Sequence, residues 1–284
     1  MLFWFRIAPM ETTLPTAIET LPATVLTPAL STLRMDAVAS EVPVALVFNG
    51  ISHAVMMCTP QNLEAFALGF ALSEGIIDSA EDCYGIEVAN APACGGGIES
   101  PGIQVEITIT SRSFARLKDK RRTLAGRTGC GICGIDSLDA LDLVPEPLAL
   151  AAWARGIGLE QLQSAFSQLP ALQPLNQQAG AIHAAGWATA DGQLQLVMED
   201  VGRHNALDKL LGCMAQQQLL QQAGFVVMTS RASYELVRKC ARLRLPVLAT
   251  ISAPTTLAIQ VANQAGMRLF GLCRGDRAIA YTAN

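Results

Sequence analysis

The sequence has few charged residues, no long apolar run and no clear export signal, and each shortage excludes a class of function. Charged residues make up 15% of the 284 positions and the formal net charge is −4, so binding to bulk nucleic acid is not expected. No run reaches the ~18 apolar residues of a membrane-spanning helix, which argues against a membrane protein. The hydrophobic fraction of 51% is that of a globular chain with a substantial core.

The cysteine pattern indicates a reducing compartment. The eight cysteines are irregularly spaced, which does not suggest a disulfide framework. The amino end is apolar, but its first charge, Arg6, follows the apolar residues and no tidy cleavage site comes after it. The chain is therefore expected to be cytoplasmic, with reduced thiols.

One glycine-rich stretch, residues 125–134, carries two of these cysteines. Cys130 and Cys133 lie three positions apart among four glycines, directly after the basic run 118–122. Glycine disfavours regular elements, so the stretch is predicted to be a loop that presents two thiols to an incoming partner. The positive charge of Arg127 and of the basic run lowers a thiol pKa and favours the nucleophilic thiolate.

Two other uses of Cys130 and Cys133 are weaker. A structural zinc site needs four ligands, and neither a second Cys-x-x-Cys nor a histidine pair accompanies the first. Thioredoxin-type redox chemistry places its Cys-x-x-Cys at a helix start after a strand, which the flanking glycines disfavour. No permanent metal is expected, and sulfur handling is the preferred interpretation.

The pattern of elements predicts two folded units after a variable, loosely ordered tail over residues 1–33. Residues 34–142 are predicted to form a smaller α+β domain, with a β-hairpin turning at Asn49-Gly50 and a helix that ends near Gly75. A proline-rich linker leads to residues 148–284, where helices alternate with short apolar strands. This alternation indicates an α/β domain with a mainly parallel sheet covered on both faces.

Polar and basic loops follow several predicted strands of the second domain. Arg203 and His204 come after one strand, Ser230 and Arg231 after the next, and residues 252–256 and 271–277 after two more. Such loops meet at one edge of an α/β sheet, which predicts a pocket for a large, phosphate-bearing ligand.

Each of these loops also has a purely structural interpretation. Asp200 and Asn205 can cap the helix that starts near Arg203 without any ligand. A zinc deaminase is excluded, because Ala185 stands where its catalytic glutamate would follow His183.

The motifs resemble those of one family. Residues 41–50, 126–134, 199–209 and 230–235 together resemble the FdhD/NarQ family of formate dehydrogenase accessory sulfurtransferases. The resemblance runs from about Met35 to the end of the chain. It implies a three-layer α/β second domain similar to the cytidine deaminase core, and a homodimer.

The resemblance also implies a reaction and its residues. Family members accept persulfide sulfur from a cysteine desulfurase and pass it to the molybdenum bis(guanine dinucleotide) cofactor, which the formate dehydrogenase catalytic subunit requires. Cys130 matches the persulfide-forming cysteine and Cys133 its companion. The cofactor-binding segment of the family falls on Leu269, Phe270, Gly271, Leu272, Cys273 and Arg274.

Residue chemistry and resemblance agree on a sulfurtransferase hypothesis. Cys130 would carry the persulfide, while Arg203, Arg231 and Arg274 would hold the phosphates of the cofactor. The alternative is a chaperone for the molybdenum cofactor whose cysteines only dock or sense redox state. A nucleotide-processing enzyme would need a catalytic metal or base set that the sequence does not show.

Overall fold

A computed structural model of the protein describes residues 13–91, 102–122 and 145–282. The strands of these residues are β1 (Ile18–Leu26), β2 (Ser31–Ala39), β3 (Val42–Phe48), β4 (Ile51–Cys58), β5 (Cys83–Ala91), β6 (Gly102–Ile109), β7 (His183–Thr189), β8 (Leu194–Asp200), β9 (Gly224–Met228), β10 (Val247–Thr250), β11 (Arg268–Arg274) and β12 (Arg277–Ala280). The α-helices are α1 (Leu63–Ser73), α2 (Ser111–Arg122), α3 (Ala152–Gly156), α4 (Leu159–Gln168), α5 (Pro174–Ala179), α6 (Arg203–Gln216), α7 (Tyr234–Arg242) and α8 (Thr256–Gln264).

The amino-terminal core is a four-stranded sheet, in the order β4–β3–β6–β5, packed against α1. Its first hairpin turns at Asn49 and Gly50, whose φ angles of 46° and 78° are those of the predicted tight turn. Helix α1 begins three residues after Pro60, with Asn62 as its N-cap, and Gly75 ends it with a φ of 67°. The apolar positions of the hairpin and helix therefore build this core as the pattern predicts.

The carboxyl-terminal core is a six-stranded sheet, in the order β12–β11–β10–β9–β7–β8, with helices on both faces. Helices α6, α7 and α8 bury their apolar side chains on one face, while α3 and α4 cover the other. The unit is thus a three-layer α/β structure. The expectation of a mainly parallel sheet was wrong. Among the described strands of this sheet, β9–β10 and β10–β11 pair in parallel, whereas β7–β8, β7–β9 and β11–β12 pair in the antiparallel sense.

Two glycines let the halves of the molecule touch backbone to backbone. Helix α1 crosses α6 where Gly69 lies against Gly212. A Cβ atom on Gly69 would overlap the carbonyl oxygen of Asp208, and one on Gly212 would overlap that of Ala65. Because these partners are backbone atoms, only glycine fits at this crossing.

A buried group of charges joins the same helices. Lys239 of α7 donates to both carboxylate oxygens of Asp208 at 2.9 Å and to the Ser73 hydroxyl at 2.8 Å. Its ammonium also lies 2.8 Å from a carboxylate oxygen of Glu74, which in turn pairs with Arg238 at 2.7 Å. Three helices from two cores are therefore held in one register by a network around a single buried lysine.

The amino-terminal segment differs from the expected loose tail. Strands β1 and β2 form an antiparallel hairpin over nine residue pairs, from Ile18↔Ala39 to Leu26↔Ser31. The boundary expected at residue 34 therefore falls inside β2. No alternation of apolar and polar residues marks these strands, because most side chains on both faces of the hairpin are exposed and neither face needs to be uniformly apolar. Within the described ranges, no helix is long and apolar enough to cross a membrane.

Candidate functional site

The predicted polar loops lie along one edge of the carboxyl-terminal sheet. Strands β9, β10 and β11 are parallel, so their carboxyl ends share an edge. Strand β7 runs antiparallel to both of its neighbours, β8 and β9, so β8 and β9 run in the same direction. The loops after β8, β9, β10 and β11 therefore meet at this edge, where α/β sheets bind ligands.

Backbone contacts hold three of these loops together. The amide of Ser252 donates to the carbonyl of Ser230 at 3.4 Å, and the amide of Leu272 donates to the carbonyl of Ser252 at 3.3 Å. The amide of Thr255, the N-cap of α8, donates to the carbonyl of Ala232 at 3.0 Å. We refer to the loops 229–233, 251–255 and 271–276, with the start of α6, as the site edge.

Most of the predicted binding segment 269–274 points into the protein. Leu269, Phe270 and Cys273 are buried in the two cores beside the sheet. Gly271 is packed tightly, since a Cβ atom there would come within 3.1 Å of the Ser252 carbonyl oxygen. The side chains of this segment that reach the surface are those of Leu272 and Arg274.

Leu272 has an unusual backbone conformation. Its φ of 52° lies in the left-handed region, at an irregularity of the β11–β12 pairing between Gly271 and Arg274. A non-glycine residue there costs on the order of 1 kcal/mol. The bend turns Arg274 back across the site edge, where its Nε donates to the carbonyl of Ile251 at 3.0 Å.

Three arginines of the site edge lack a carboxylate partner. Arg203 is the first residue of α6, Arg231 follows β9 and Arg274 ends β11. No carboxylate of the described residues lies within ion-pair distance of any of the three. With ~4.8 Å between neighbouring strands, the ends of β11 and β8 are roughly 19 Å apart. The row suits an extended polyanion better than a single phosphate.

His204 stands beside a carboxylate at the same edge. Its Nε2 lies 3.8 Å from a carboxylate oxygen of Glu235, beyond hydrogen-bond distance, and has no hydrogen-bond partner among the described atoms. Burial acts to raise the pKa of Glu235, but its neighbours His204 and Ser233 and its own amide outweigh burial and lower that pKa to about 2. Glu235 is therefore ionised at neutral pH and offers His204 a negative neighbour.

His183 reaches this edge although sequence reasoning gave it no role beyond the deaminase comparison. It opens β7 opposite Asp200 of β8. Burial and the positive charge of Arg203 lower its pKa, so its imidazole is neutral at pH 7. The signal for its position lies in the antiparallel pairing of β7 with β9, which the sequence pattern does not reveal.

The other motif residues around Arg203 are used for structure. The carboxylate of Asp200, fully buried, accepts from the amides of Gly202 and Thr59 and pairs with Lys209 at 2.7 Å. The side-chain amide of Asn205 donates to the carbonyl of Met57 at 2.7 Å. Asp200 is thus structural but does not cap α6, which begins after Gly202 without any side-chain cap hydrogen bond. Asn205 contacts the neighbouring domain and does not cap the helix either.

Ser230 and Arg231 occupy different environments at the end of β9. The Ser230 hydroxyl is buried and donates to the carbonyl of Arg231 at 3.1 Å, whereas the Arg231 side chain is exposed. Of this pair, only the arginine presents its side chain to solvent.

Five cysteines lie within the described residues, and burial raises the thiol pKa of each: Cys58, Cys83, Cys213, Cys240 and Cys273. For Cys240 and Cys273 the pKa rises to about 12, so these thiols stay protonated at pH 7. The predicted sulfur carriers Cys130 and Cys133 lie outside the described residues, as does loop 125–134. No cluster of metal-ligating side chains occurs in the ranges that the structure describes.

Known proteins are similar to this chain in sequence and in fold. The FdhD/NarQ family profile matches residues 39–284. The chain is 50% identical over 247 residues to a sulfur carrier protein FdhD of Burkholderia mallei, across 87% of this chain and 89% of that protein. It is 52% identical over 248 residues to a sulfur carrier protein FdhD of Chromobacterium violaceum, with the same coverage of 87% and 89%. Its fold is similar to the crystal structure of a candidate formate dehydrogenase accessory protein from Desulfotalea psychrophila, with a TM-score of 0.67, 24% identity and coverage of 94% and 98%.

Proposed function

The chain belongs to the FdhD/NarQ family, and from this premise we propose that it is a sulfur carrier serving formate dehydrogenase. It accepts sulfur from a cysteine desulfurase and delivers it to the molybdenum bis(guanine dinucleotide) cofactor, which is the substrate of this sulfurtransferase. The observation that carries the proposal is the row of three arginines along the site edge that have no carboxylate partner among the described residues.

The site edge matches the charge and size of that substrate. Each guanine dinucleotide half carries a pyrophosphate, and Arg203, Arg231 and Arg274 are spread over roughly 19 Å of strand ends. Arginine binds phosphate oxygens through paired N–H donors, and the start of α6 adds free backbone amides. His204 follows Arg203 at the start of α6, beside Glu235. The Ser230 hydroxyl is buried and donates to the Arg231 carbonyl, so Ser230 does not present it to the substrate.

Loading uses the Cys130 thiolate. It attacks the outer sulfur of the desulfurase persulfide, so a new sulfur–sulfur bond forms while that of the donor breaks. The donor leaves as a thiolate, and no net oxidation takes place. The arginine and lysines beside loop 125–134 favour the thiolate form of Cys130.

Delivery transfers the outer sulfur to the bound substrate. The sulfane sulfur gains two electrons as it becomes sulfide on molybdenum. Those electrons come from the metal, in which case Cys130 leaves as a thiolate, or from Cys133 as it closes a disulfide with Cys130. The five thiols in the described residues are unsuited to either step because burial keeps them protonated.

Sulfur loading is tested by mass spectrometry of the intact protein after incubation with a purified cysteine desulfurase and cysteine. Wild-type protein should gain the mass of sulfur, removable by a thiol reductant, and Cys130→Ala should gain none. Cys83→Ala is the matched control, because Cys83 is the most accessible thiol of the described residues and should not affect loading. Accumulation of an intramolecular disulfide after delivery would identify Cys133 as the electron source.

The same experiment separates a carrier from a chaperone. A protein that binds the molybdenum substrate but gains no sulfur would be a cofactor chaperone. Cys130→Ala protein that still restores full formate dehydrogenase activity would remove Cys130 from the mechanism. We place this reaction in the cytoplasm, with the desulfurase, the dehydrogenase catalytic subunit and a second copy of the chain as partners.

A further inference from the structure

Thr59 of the amino-terminal core is bound to the carboxyl-terminal core through all three of its polar groups. It is fully buried and lies between β4 and α1. Its amide donates to a carboxylate oxygen of Asp200 at 3.1 Å, and its carbonyl accepts from the ammonium of Lys209 at 3.0 Å. Its hydroxyl accepts from the amide of Val201 at 3.1 Å. A single residue therefore joins the end of β8 and helix α6 to the other core.

The segment that Thr59 contacts leads directly to the site edge. Asp200 ends β8, and two residues, Val201 and Gly202, separate it from Arg203, the first residue of α6. Gly202 is the N-cap of this helix and has no side chain with which to cap it. Its amide donates instead to a carboxylate oxygen of Asp200 at 2.7 Å. The place at which α6 begins is thus set by groups outside the helix.

The first turn of α6 is held from the same strand end. The side-chain amide of Asn205 donates to the carbonyl of Met57 at 2.7 Å. Met57 lies two residues before Thr59, near the end of β4. Contacts to the amino-terminal core therefore stand on both sides of Arg203, at Val201 before it and at Asn205 after it.

We propose that Thr59 is a positioning residue, whose hydroxyl fixes the loop after β8 so that Arg203 stays at the site edge. Thr59 itself is fully buried and does not touch the substrate. Arginine binds phosphate through N–H donors of fixed direction, so a displacement of about 1 Å at the start of α6 weakens its grip. The inference takes its phosphate-bearing ligand from the proposed function, whereas the contacts that place Arg203 do not depend on that function.

The hydroxyl contact does more than join the two cores. The cores are already held together by the buried pair of Asp200 with Lys209 and by the crossing of α1 and α6. Removal of the hydroxyl leaves these contacts in place and takes the acceptor from the Val201 amide alone. Its main effect should therefore fall on the loop that leads to Arg203.

Calorimetry of the full-length chain with guanosine diphosphate tests the positioning role. Thr59→Val keeps the shape of the side chain but removes the acceptor, and it should weaken binding about fivefold or more. Thr59→Ser keeps a hydroxyl and should restore binding to within about twofold of wild type. Thr59→Ala repeats the test should Thr59→Val not fold.

Thr110→Val is the matched control. The Thr110 hydroxyl accepts from the amide of Ser113 at 3.3 Å at the start of α2, so the same substitution again removes a hydroxyl acceptor. Asp78 links α2 to Arg242, at the end of α7 that lies away from the site edge. This variant should therefore lose stability in urea but bind guanosine diphosphate as wild type does.

A titration without ligand separates the position of Arg203 from the identity of the substrate. Burial and then the charge of Arg203 lower the pKa of His183, while Asp200 acts to raise it and His204 to lower it. Displacement of Arg203 should raise that pKa, in Thr59→Val as in Arg203→Ala. Thr59→Val added to Arg203→Ala should raise it no further. NMR measures the titration, and with three histidines in the chain His183→Gln assigns the signal.

The outcomes distinguish this inference from the proposed function. If wild type binds guanosine diphosphate, unchanged binding in Thr59→Val would overturn the positioning role, and so would equal loss in Thr110→Val or no recovery in Thr59→Ser. An unchanged pKa of His183 in Thr59→Val would overturn it too. A wild type that binds no guanosine diphosphate, but whose His183 responds to Thr59→Val as expected, would refute the substrate assignment and support the positioning role.

Discussion

Replacing the buried lysine between the two cores should destabilise the protein strongly. Lys239→Met keeps the approximate length of the side chain but removes an ammonium that contacts Asp208, Glu74 and the Ser73 hydroxyl. Glu74 retains Arg238, whereas Asp208, which is buried, retains only a neutral partner. Breaking a buried pair in this way typically costs about 3–5 kcal/mol of unfolding free energy. Urea denaturation measures that loss, and Lys118→Met on an exposed face of α2 should cost less than about 1 kcal/mol.

A second substitution and a change of pH test the physical cause. Asp208→Asn added to Lys239→Met removes the unpaired charge and should recover at least about 2 kcal/mol. Burial already raises the pKa of Asp208, and loss of the ammonium raises that pKa further. A carboxyl whose pKa rises on folding stabilises the folded state as the pH falls. The deficit of Lys239→Met should therefore shrink by roughly 1 kcal/mol or more between pH 7 and pH 5. A deficit that is equal at both pH values and unrelieved by Asp208→Asn would refute this reasoning.

Three further predictions concern the helix crossing and the site edge. Gly212→Ala should lower the unfolding free energy by at least about 2 kcal/mol in urea, despite the better helix propensity of alanine, because the methyl group meets the Ala65 carbonyl. Folding lowers the pKa of Glu235 to about 2. The stabilising contribution of its carboxylate to the unfolding free energy is therefore present above about pH 4.5 and lost as the pH falls toward 2. Glu235→Gln should therefore remove roughly 3 kcal/mol of the acid-induced loss in unfolding free energy, and a wild-type pH profile in the variant would exclude this role. Arg274→Ala should weaken binding of guanosine diphosphate, a stand-in for the substrate, about tenfold by calorimetry. The control is Arg244→Ala, at an exposed arginine that precedes β10 at the opposite edge of the sheet, and it should leave that binding nearly unchanged.

Local patterns in the sequence were sufficient for most individual elements. The Asn49-Gly50 turn, the helix ending at Gly75 and the alternating strand at residues 102–109 are each specified by neighbours in the chain. The strand and helix order of the second half also followed from apolar spacing. The sequence further predicted that its polar loops share one sheet edge, because that placement depends only on strand direction.

Pairing between distant segments was decided by the tertiary structure. Short apolar strands have the same residue pattern whether they pair in parallel or antiparallel. The direction of β7 in the sheet, and with it the position of His183, could therefore not be predicted from the sequence. The hairpin β1–β2 escaped notice because most of its side chains are exposed, so burial imposes no period on them.

The motif residues around Arg203 show the same division between local and distant information. From their residue types alone, the charged and polar side chains at 199–209 predict a ligand-binding role. In the folded chain Asp200 and Asp208 contact residues more than a hundred positions away, and the arginine remains at the surface. The sequence by itself determined most of the elements and which chemical groups are available. The tertiary structure alone decided which charges are neutralised by distant partners, because ion pairs and backbone contacts depend on separation in space.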